Sequence, residues 1–284
     1  MSASRLAPDL LRGKTAWITG GGTGLGRAMA HRFAELGAQV AISGRRPEPL
    51  EAVVAELAAQ GTKAAFAPCD VREPAQVDQA LASITGALGV PDILVNNAAG
   101  NFLCASEDLA PKGFDIVVRI VLHGTFHCTR AIGRTWIDAK RGGSILSITT
   151  TYAETGSGFV LPSACAKAGV VALTRSLAVE WARYGIRLNA ISPGPIYTEG
   201  AFSRLLPSKE IEARRIKRIP AGRLGTPEEL SDLAAFIVSD AGDWMRGEVV
   251  TFDGGEWLRG AGEFNDLLDL PKEMIEALRG RKSD

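Results

Sequence analysis

The chain has 284 residues, in which 32 lysines and arginines balance 32 aspartates and glutamates. This length allows a sizeable buried core, and a chain without net charge has no electrostatic attraction to nucleic acid or to an anionic membrane. The longest apolar runs are too short for a membrane span, and the first fourteen residues lack an apolar signal core. Four cysteines lie far apart without a CxxC pair, which indicates buried, reduced thiols rather than disulfides or zinc ligands. We therefore expect a cytoplasmic protein with no nucleic-acid partner and no membrane insertion.

Short apolar runs alternate with segments of helical periodicity along the chain. The predicted strands are Thr15–Thr19, Gln39–Ser43, Ala64–Ala67, Ile93–Asn96, Ser144–Ile148, Arg187–Ile191 and Val249–Phe252. The predicted helices are Leu25–Leu36, Leu50–Gln60, Gln76–Leu88, Phe114–Ala139, Ala164–Arg183 and Glu228–Ser239. This alternation predicts an α/β fold, a Rossmann-type doubly wound parallel sheet of seven strands with helices on both faces. No linker or repeat interrupts it, so residues 1–284 are predicted to form a single domain.

A glycine-rich segment directly follows the first predicted strand. Its residues are Thr19, Gly20, Gly21, Gly22, Thr23, Gly24, Leu25 and Gly26, and a predicted helix begins within it. Glycines at this point allow a tight turn and a close approach of the backbone to a pyrophosphate at the helix N-terminus. Because both the strand and the helix are in place, the segment predicts a dinucleotide site rather than an ordinary turn.

The residues after the next three strands add to this cofactor site. The second strand is followed by Arg45 and Arg46, where an enzyme that uses NADH has an acidic residue. Guanidinium groups match a 2′-phosphate in geometry and charge, which favours NADPH; an exposed arginine pair is the alternative. Asp70, beside Val71, follows the third strand and is expected to accept from the adenine amine. After the fourth strand, the segment Asn97-Ala98-Ala99-Gly100 is expected to lie flat against the cofactor.

One basic segment departs from the regular alternation. Between residues 198 and 223 the periodicity loosens and seven cations crowd together: Arg204, Lys209, Arg214, Arg215, Lys217, Arg218 and Arg223. A solvated helix is one interpretation. A lid that carries cations for a phosphorylated substrate is the other, and it is favoured because ligands of doubly wound sheets bind at the carboxyl ends of strands.

Taken together, the glycine motif, the segment Asn96-Asn97-Ala98-Ala99-Gly100, Lys167 and the turn Pro193-Gly194-Pro195-Ile196 resemble the short-chain dehydrogenase/reductase superfamily over nearly the whole chain. That superfamily normally has a tyrosine four residues before the lysine, where this chain has Ser163. Five further blocks, at residues 98–102, 147–159, 162–167, 200–204 and 262–266, resemble the mitochondrial type of NADPH-dependent 2,4-dienoyl-CoA reductase, which also has serine at that place. The resemblance implies strand order 3-2-1-4-5-6-7 and a homotetramer.

The resemblance also implies roles for individual residues. Tyr152 and Asn101 would hydrogen-bond the thioester carbonyl, Lys167 would hold the nicotinamide ribose, and Ser163 would support the donors. The acyl-CoA would contact Arg72, Phe102 and Arg204. The adenosine end would contact Arg45 and Asp70, and the nicotinamide would contact Pro193, Gly194, Pro195 and Ile196.

The position of the tyrosine suits the chemistry of a dienoyl thioester. Hydride enters at the far end of the conjugated system, and negative charge then develops on the thioester oxygen. Donors aimed at that oxygen stabilise the transition state, and they must lie some distance from the carbon that receives hydride. In a carbonyl reductase that carbon is bonded directly to the oxygen. A tyrosine at position 152 instead of 163 fits the longer separation.

Two positions depart from the family pattern, and other functions stay open. His123 replaces an asparagine that anchors a water in the superfamily; it is either a proton donor or, more often for a lone histidine, a packing residue. Ala110 stands where a serine that contacts substrate is expected. The C-terminal extension, residues 256–284, is predicted to seal a subunit interface or to cover the substrate. A carbonyl or 3-ketoacyl reductase and a catalytically silent cofactor-binding scaffold remain the alternatives.

Overall fold

The computed structural model describes residues 6–198 and 208–279. Within these ranges seven parallel strands form one sheet in the order β3-β2-β1-β4-β5-β6-β7. The strands are β1 Thr15–Thr19, β2 Gln39–Gly44, β3 Ala64–Pro68, β4 Ile93–Asn96, β5 Gly143–Ile148, β6 Ile186–Pro193 and β7 Val249–Phe252. The predicted fold class, the strand count and the strand order are therefore confirmed, and the observed strands differ from the predicted ones by at most two residues at either end.

Helices cover both faces of this sheet. The α-helices are α1 Gly24–Glu35, α2 Pro47–Ala59, α3 Pro74–Leu88, α4 Pro111–Val118, α5 Gly124–Asp138, α6 Tyr152–Thr155, α7 Leu161–Glu180, α8 Lys209–Arg218, α9 Pro227–Val238, α10 Glu256–Ala261 and α11 Lys272–Arg279. Short 3₁₀ turns lie at Ser106–Asp108, Ala182–Tyr184, Asp240–Gly242 and Asn265–Asp269. The start of α9 is fixed by a capping box, in which the Thr226 hydroxyl accepts from the Glu229 backbone N–H and the Glu229 carboxylate accepts from the Thr226 backbone N–H.

Alternation along the strands divides the core into two apolar layers. In β1, Ile18 packs with helices α1, α2 and α9 on one face, whereas the neighbouring Trp17 packs with α3, α5 and α7 on the other. Both side chains are fully buried. Successive residues of a strand point to opposite faces, so a strand covered on both sides must be apolar at nearly every position. This is why the strands could be recognised as uninterrupted apolar runs.

The long helix predicted over Phe114–Ala139 is not one regular helix. It begins at Pro111, and a π-helical turn at Arg119–His123 separates α4 from α5. The extra residue in this turn changes the rotational register between the two halves. Val117 of α4 can then pack with the residues of α7, while Cys128 of α5 packs against the sheet. The periodicity of the sequence does not show such a turn, because each half is apolar on its own buried face.

The cysteines only partly match the expectation of buried thiols. Cys69 and Cys128 are buried, but Cys104 is half-buried and Cys165 is exposed on α7. All four are free thiols. In the described ranges no group of side chains is arranged to hold a metal ion, and none of the helices described there is long and apolar enough to cross a bilayer.

Candidate active site

Two loops meet at the carboxyl ends of β1 and β4, where the order of the sheet reverses. Gly20 and Gly24 have positive φ angles of 66° and 54°. A Cβ added to Gly26 would lie 2.3 Å from the Gly20 carbonyl oxygen and 2.6 Å from Asn97 Nδ2. The Thr19 hydroxyl accepts from the backbone N–H of Asn97 at 3.0 Å, and Asn97 Nδ2 donates back to the Thr19 carbonyl at 2.9 Å. Glycine is therefore required for this approach, and the N-terminus of α1 is left facing the crevice between the loops.

A cavity of about 310 Å³ opens over these loops. Its lining residues are Gly20, Gly22, Thr23, Leu25, Gly44, Arg45, Arg46, Pro49, Leu50, Cys69, Asp70, Val71, Asn97, Ala98, Ala99 and Ile120. Most of the adenosine and phosphate contacts predicted from the sequence are in this set; Thr19, Gly24, Gly26 and Gly100 are not among the lining residues. The glycine approach, the helix N-terminus and the guanidinium groups fit the adenosine half of a dinucleotide.

Sequence reasoning missed several of these lining residues. Pro49 and Leu50 belong to α2, Cys69 follows β3, and Ile120 lies in the π-helical turn. An apolar residue next to the end of a strand was the available signal for Cys69, and the first apolar residue of a predicted helix was the signal for Leu50. For Ile120 no local signal exists, because a turn remote in sequence brings it to the cavity wall.

Arg45 and Arg46 are both exposed at the end of β2 and line this cavity. The buried residue before them, Ser43, accepts at its hydroxyl from the Trp17 indole N–H at 3.0 Å. The end of β2 thus has a buried, hydrogen-bonded and uncharged residue, Ser43, followed by two exposed cations. Their positive charge therefore lies at the cavity wall, where the ribose of a dinucleotide bound at the glycine loop would lie.

Asp70 is held by an unusually complete contact with Arg72. Arg72 Nη2 lies 2.5 Å from Asp70 Oδ2, and Arg72 Nε and the Arg72 backbone N–H each lie 3.0 Å from Asp70 Oδ1. The Asp70 backbone N–H donates to the Gln76 side chain at 2.9 Å. Hydrogen bonding from Arg72 keeps the pKa of Asp70 below its ordinary value. Asp70 lines the cavity, whereas Arg72, predicted to bind substrate, has its guanidinium joined to this carboxylate.

The predicted donors meet around the Tyr152 hydroxyl. Tyr152 Oη lies 3.2 Å from Ser163 Oγ, and Asn101 Nδ2 lies 3.5 Å from the same Tyr152 oxygen. Tyr152 lies outside every helix predicted from the sequence, but in the structure it begins the short helix α6, which the Ala153-to-Thr150 and Gly156-to-Tyr152 backbone bonds close. So short a helix has no periodicity to detect. It holds the phenol beside the first turn of α7.

Lys167 lies one helical turn after Ser163, on the same face of α7. Its side chain is buried, with 8% of the residue exposed, and its ammonium donates to the Ile148 carbonyl at the end of β5. Burial lowers the pKa of Lys167 to about 8, because removing an ammonium from water disfavours its charged form. The structure therefore fixes a cation-bearing side chain in a largely apolar setting at the carboxyl edge of the sheet.

The turn Pro193-Gly194-Pro195-Ile196 leaves β6 and is held by the segments that follow β7 and α8. The Gly194 N–H donates to the Phe252 carbonyl at 3.0 Å, and a Cβ on Gly194 would lie 2.6 Å from Asp253 Cβ. Ile196 forms an isolated parallel bridge with Gly225. The predicted nicotinamide contacts thus lie on a well-supported turn, and their role stays a prediction.

The remaining predicted residues are less tightly placed. Phe102 is 38% exposed, and a Cβ added to Gly113 would lie 3.2 Å from its ring. His123 is exposed, and its ring meets the edge of His127 at a centroid distance of 6.3 Å. Arg204 lies outside the described residues. Ala110 precedes α4 and is exposed.

Comparison with known proteins gives the family. The model of the family described as enoyl-(acyl carrier protein) reductase matches residues 20–256. The chain belongs to the short-chain dehydrogenase/reductase family. Its members are oxidoreductases. The matched residues include those of the site described above from Gly20 onward.

Two relatives and one solved structure illustrate the similarity. A Bacillus subtilis protein named probable 2,4-dienoyl-CoA reductase, (2E)-enoyl-CoA-producing, is 47% identical, covering 84% of this chain and 95% of the relative. A Caenorhabditis elegans protein named probable 2,4-dienoyl-CoA reductase 3, (3E)-enoyl-CoA-producing, is also 47% identical, covering 87% of this chain and 82% of the relative. The structure of a gluconate 5-dehydrogenase from Burkholderia cenocepacia in complex with NADP and tartrate is 33% identical with a TM-score of 0.83, covering 89% and 99% of the two chains.

Proposed function

We propose that the protein reduces 2,4-dienoyl-CoA to 3-enoyl-CoA with NADPH, a step in the oxidation of unsaturated fatty acids. One observation carries the proposal: the phenol at the centre of the site belongs to Tyr152, outside the helix of Lys167, and it shares hydrogen bonds with Asn101 and Ser163. The two relatives named 2,4-dienoyl-CoA reductase support it.

A reduced nicotinamide supplies the hydride when it is bound; the chain's own residues then stabilise the resulting charge. Tyr152 and Asn101 donate hydrogen bonds to the thioester oxygen, on which the electrons of the conjugated system accumulate. Ser163 keeps the phenol oriented. Each donor aimed at developing charge contributes about 2.7–4 kcal/mol. Lys167 binds the ribose of the cofactor and provides positive charge near the enolate.

The deciding experiment follows NADPH and dienoyl absorbance in the purified protein. Turnover of 2,4-hexadienoyl-CoA and loss of about 10²–10³ in kcat on Tyr152→Phe are expected. Tyr184→Phe is the matched control, since that phenol is remote in sequence and packs under Arg183. Reduction of a 3-ketoacyl thioester in place of the dienoyl substrate would refute the proposal and favour a carbonyl reductase. Tight NADPH binding without turnover of any thioester would favour a silent scaffold.

The position of the product double bond needs its own measurement. The two relatives with equal identity carry names for a 2E and a 3E product. We propose the 3-enoyl product, in which a proton reaches the carbon next to the thioester. NMR of the product formed in deuterated water distinguishes the two: deuterium at C2 with the double bond at C3 is expected, and deuterium at C4 or C5 with a double bond at C2 would contradict it.

The choice of NADPH rests on Arg45 and Arg46, the two exposed cations at the cavity wall. Replacing both by glutamine removes the partners of a 2′-phosphate. The expected result is a rise of about tenfold or more in the KM for NADPH with little change for NADH, because an interaction of a charged group contributes about 1.5–3 kcal/mol. Arg134→Gln, on the remote helix α5, is the control. An equal effect on both cofactors would contradict the assignment.

The proposal extends to assembly and surroundings. Phe126 on α5 and Val179 on α7 are 47% and 82% exposed, and large exposed apolar side chains on neighbouring helices support a homo-oligomer. We propose a tetramer, with the whole chain as one domain in the cytoplasm. The proposed lid, residues 198–223, includes residues 199–207, which lie outside the described ranges. Sedimentation at micromolar concentration tests the assembly, and a monomer would contradict it.

A further inference from the structure

The contact between Arg72 and Asp70 accounts for more than a local ion pair. Among the residues that the structure describes, three N–H groups converge on the Asp70 carboxylate, all of them from Arg72: the backbone N–H, Nε–H and one Nη2–H. A carboxylate has about four acceptor positions. Nε–H lies 3.0 Å from both oxygens, so each oxygen has two contacts with Arg72, and the carboxylate held in this way lines the cavity.

The geometry points to Arg72 as a positioning residue for the adenine of the cofactor. Its planar fork fixes the plane and the rotamer of the Asp70 carboxylate, so that this carboxylate is presented to the adenine amine at the cavity wall. This differs from the substrate contact implied by family resemblance, because the guanidinium edge that would meet an anionic substrate is here occupied by a carboxylate. The inference rests on the dinucleotide site of the proposed function.

Burial and charge support this reading. The Asp70 and Arg72 side chains are only 16% and 26% exposed, so the pair is partly shielded from competing water. A bidentate pair of this kind restricts orientation as well as contributing energy. The neighbouring Arg119–Glu73 pair has one contact at 3.1 Å and side chains that are 52% and 50% exposed. Asp70 is in addition fixed through its backbone by Gln76. Arg72 thus fixes a carboxylate at the cavity wall and not one on the outer surface.

The test compares two dinucleotides that differ at the adenine amine. NADP⁺ offers a donor at this position, and its hypoxanthine analogue offers an oxygen acceptor, which a fixed carboxylate disfavours. Calorimetry of wild-type protein is expected to show binding of NADP⁺ tighter by about tenfold or more, the equivalent of one hydrogen bond to a charged group. Asp70→Asn gives the ratio of the two affinities for a protein that lacks the carboxylate.

Arg72→Gln is expected to reduce the wild-type ratio severalfold, towards that of Asp70→Asn. Arg72→Lys retains the charge but not the planar fork, so its ratio is expected to stay below the wild-type value. Arg119→Gln, which breaks the exposed neighbouring pair, is the matched control and is expected to keep the wild-type ratio. A general loss of packing would weaken both dinucleotides equally and leave the ratio unchanged.

Three results would overturn the inference. The first is that Arg72→Gln and Arg72→Lys keep the wild-type ratio of affinities for NADP⁺ and its hypoxanthine analogue. The second is a rise in the KM for dienoyl-CoA in these variants without a change in the ratio, which would assign Arg72 to the substrate. The third is no binding of either dinucleotide by the wild-type protein, which would also remove the proposed cofactor site; the first two leave the proposed function intact.

Discussion

Lys167→Met is expected to stabilise the protein at pH 7 while removing the proposed contact of Lys167 with the cofactor. Burial lowers the pKa of Lys167 from its ordinary 10.5 to about 8. The two values differ by about 2.5, and each pKa unit corresponds to about 1.36 kcal/mol, so charging Lys167 in the folded protein costs about 3 kcal/mol at neutral pH. Methionine has a similar length and no charge to desolvate. Losing the hydrogen bond to the Ile148 carbonyl offsets about 1 kcal/mol, which leaves a net gain of about 2 kcal/mol.

The sign of the pH dependence follows from the same two pKa values. Below the folded pKa of about 8 the lysine is protonated in both states, and the full cost applies. Between about 8 and 10.5 the unfolded chain binds more protons than the folded protein, so this residue's contribution to the free energy of unfolding rises with pH. Above that range the lysine is neutral in both states and the cost vanishes. The advantage of Lys167→Met is therefore expected to be lost almost entirely between pH 7 and pH 10.

Urea unfolding of both proteins without cofactor, at pH 7 and at pH 10, measures this difference. Comparing the two proteins at each pH cancels the other groups that titrate in alkali. The exposed Lys112 on α4 supplies the control: Lys112→Met is expected to change stability by less than about 0.5 kcal/mol at both pH values. A Lys167→Met protein less stable than wild type at pH 7, or an advantage that stays constant up to pH 10, would refute the reasoning.

Two further substitutions test the backbone of the structure. Gly26→Ala is expected to weaken NADP⁺ binding by tenfold or more, because the added Cβ would lie 2.3 Å from the Gly20 carbonyl oxygen; Gly86→Ala in α3, with open space around its Cβ, is the control, and equal affinities in calorimetry would contradict the close approach. Lys140 follows α5 with a φ of 52° and makes the bond to Ile137 of a Schellman turn. Lys140→Gly should therefore raise the free energy of unfolding by about 1 kcal/mol, and a lower urea midpoint would contradict it.

The sheet could be predicted from sequence because its signal is local. Each strand is apolar along its length, as Ala16, Trp17 and Ile18 are in β1, since both faces are covered. The glycine loop was equally predictable, because its residues, its strand and its helix are consecutive. Helix ends were less certain: α2 begins at Pro47, three residues before the predicted start at Leu50, since proline fits the first turn and carries no apolar signal.

The parts that escaped prediction depend on geometry that the periodicity of the sequence does not show. The helix of Tyr152 is a single turn, stabilised by its position beside α7 and not by its own sequence. The hydrogen bonds between Arg72 and Asp70 join two residues of the loop between β3 and α3, where no helical or strand periodicity applies. Ile120 reaches the cavity through a π-helical turn. In each case the residue type was visible, and the geometry that gives it a role was not.

The cost of Lys167 also bears on why the phenol lies on a separate helix. Desolvation of the Lys167 ammonium destabilises the folded protein by about 3 kcal/mol. Destabilising charges of this kind concentrate at sites where function needs the charge. A tyrosine at position 163 would stand one helical turn before Lys167, on the same face of α7. Tyr152 instead belongs to α6 and is bonded to Ser163 and Asn101. In the proposed reaction the oxygen that needs a donor lies several bonds from the carbon that is reduced, and a phenol held outside the helix of Lys167 suits that separation.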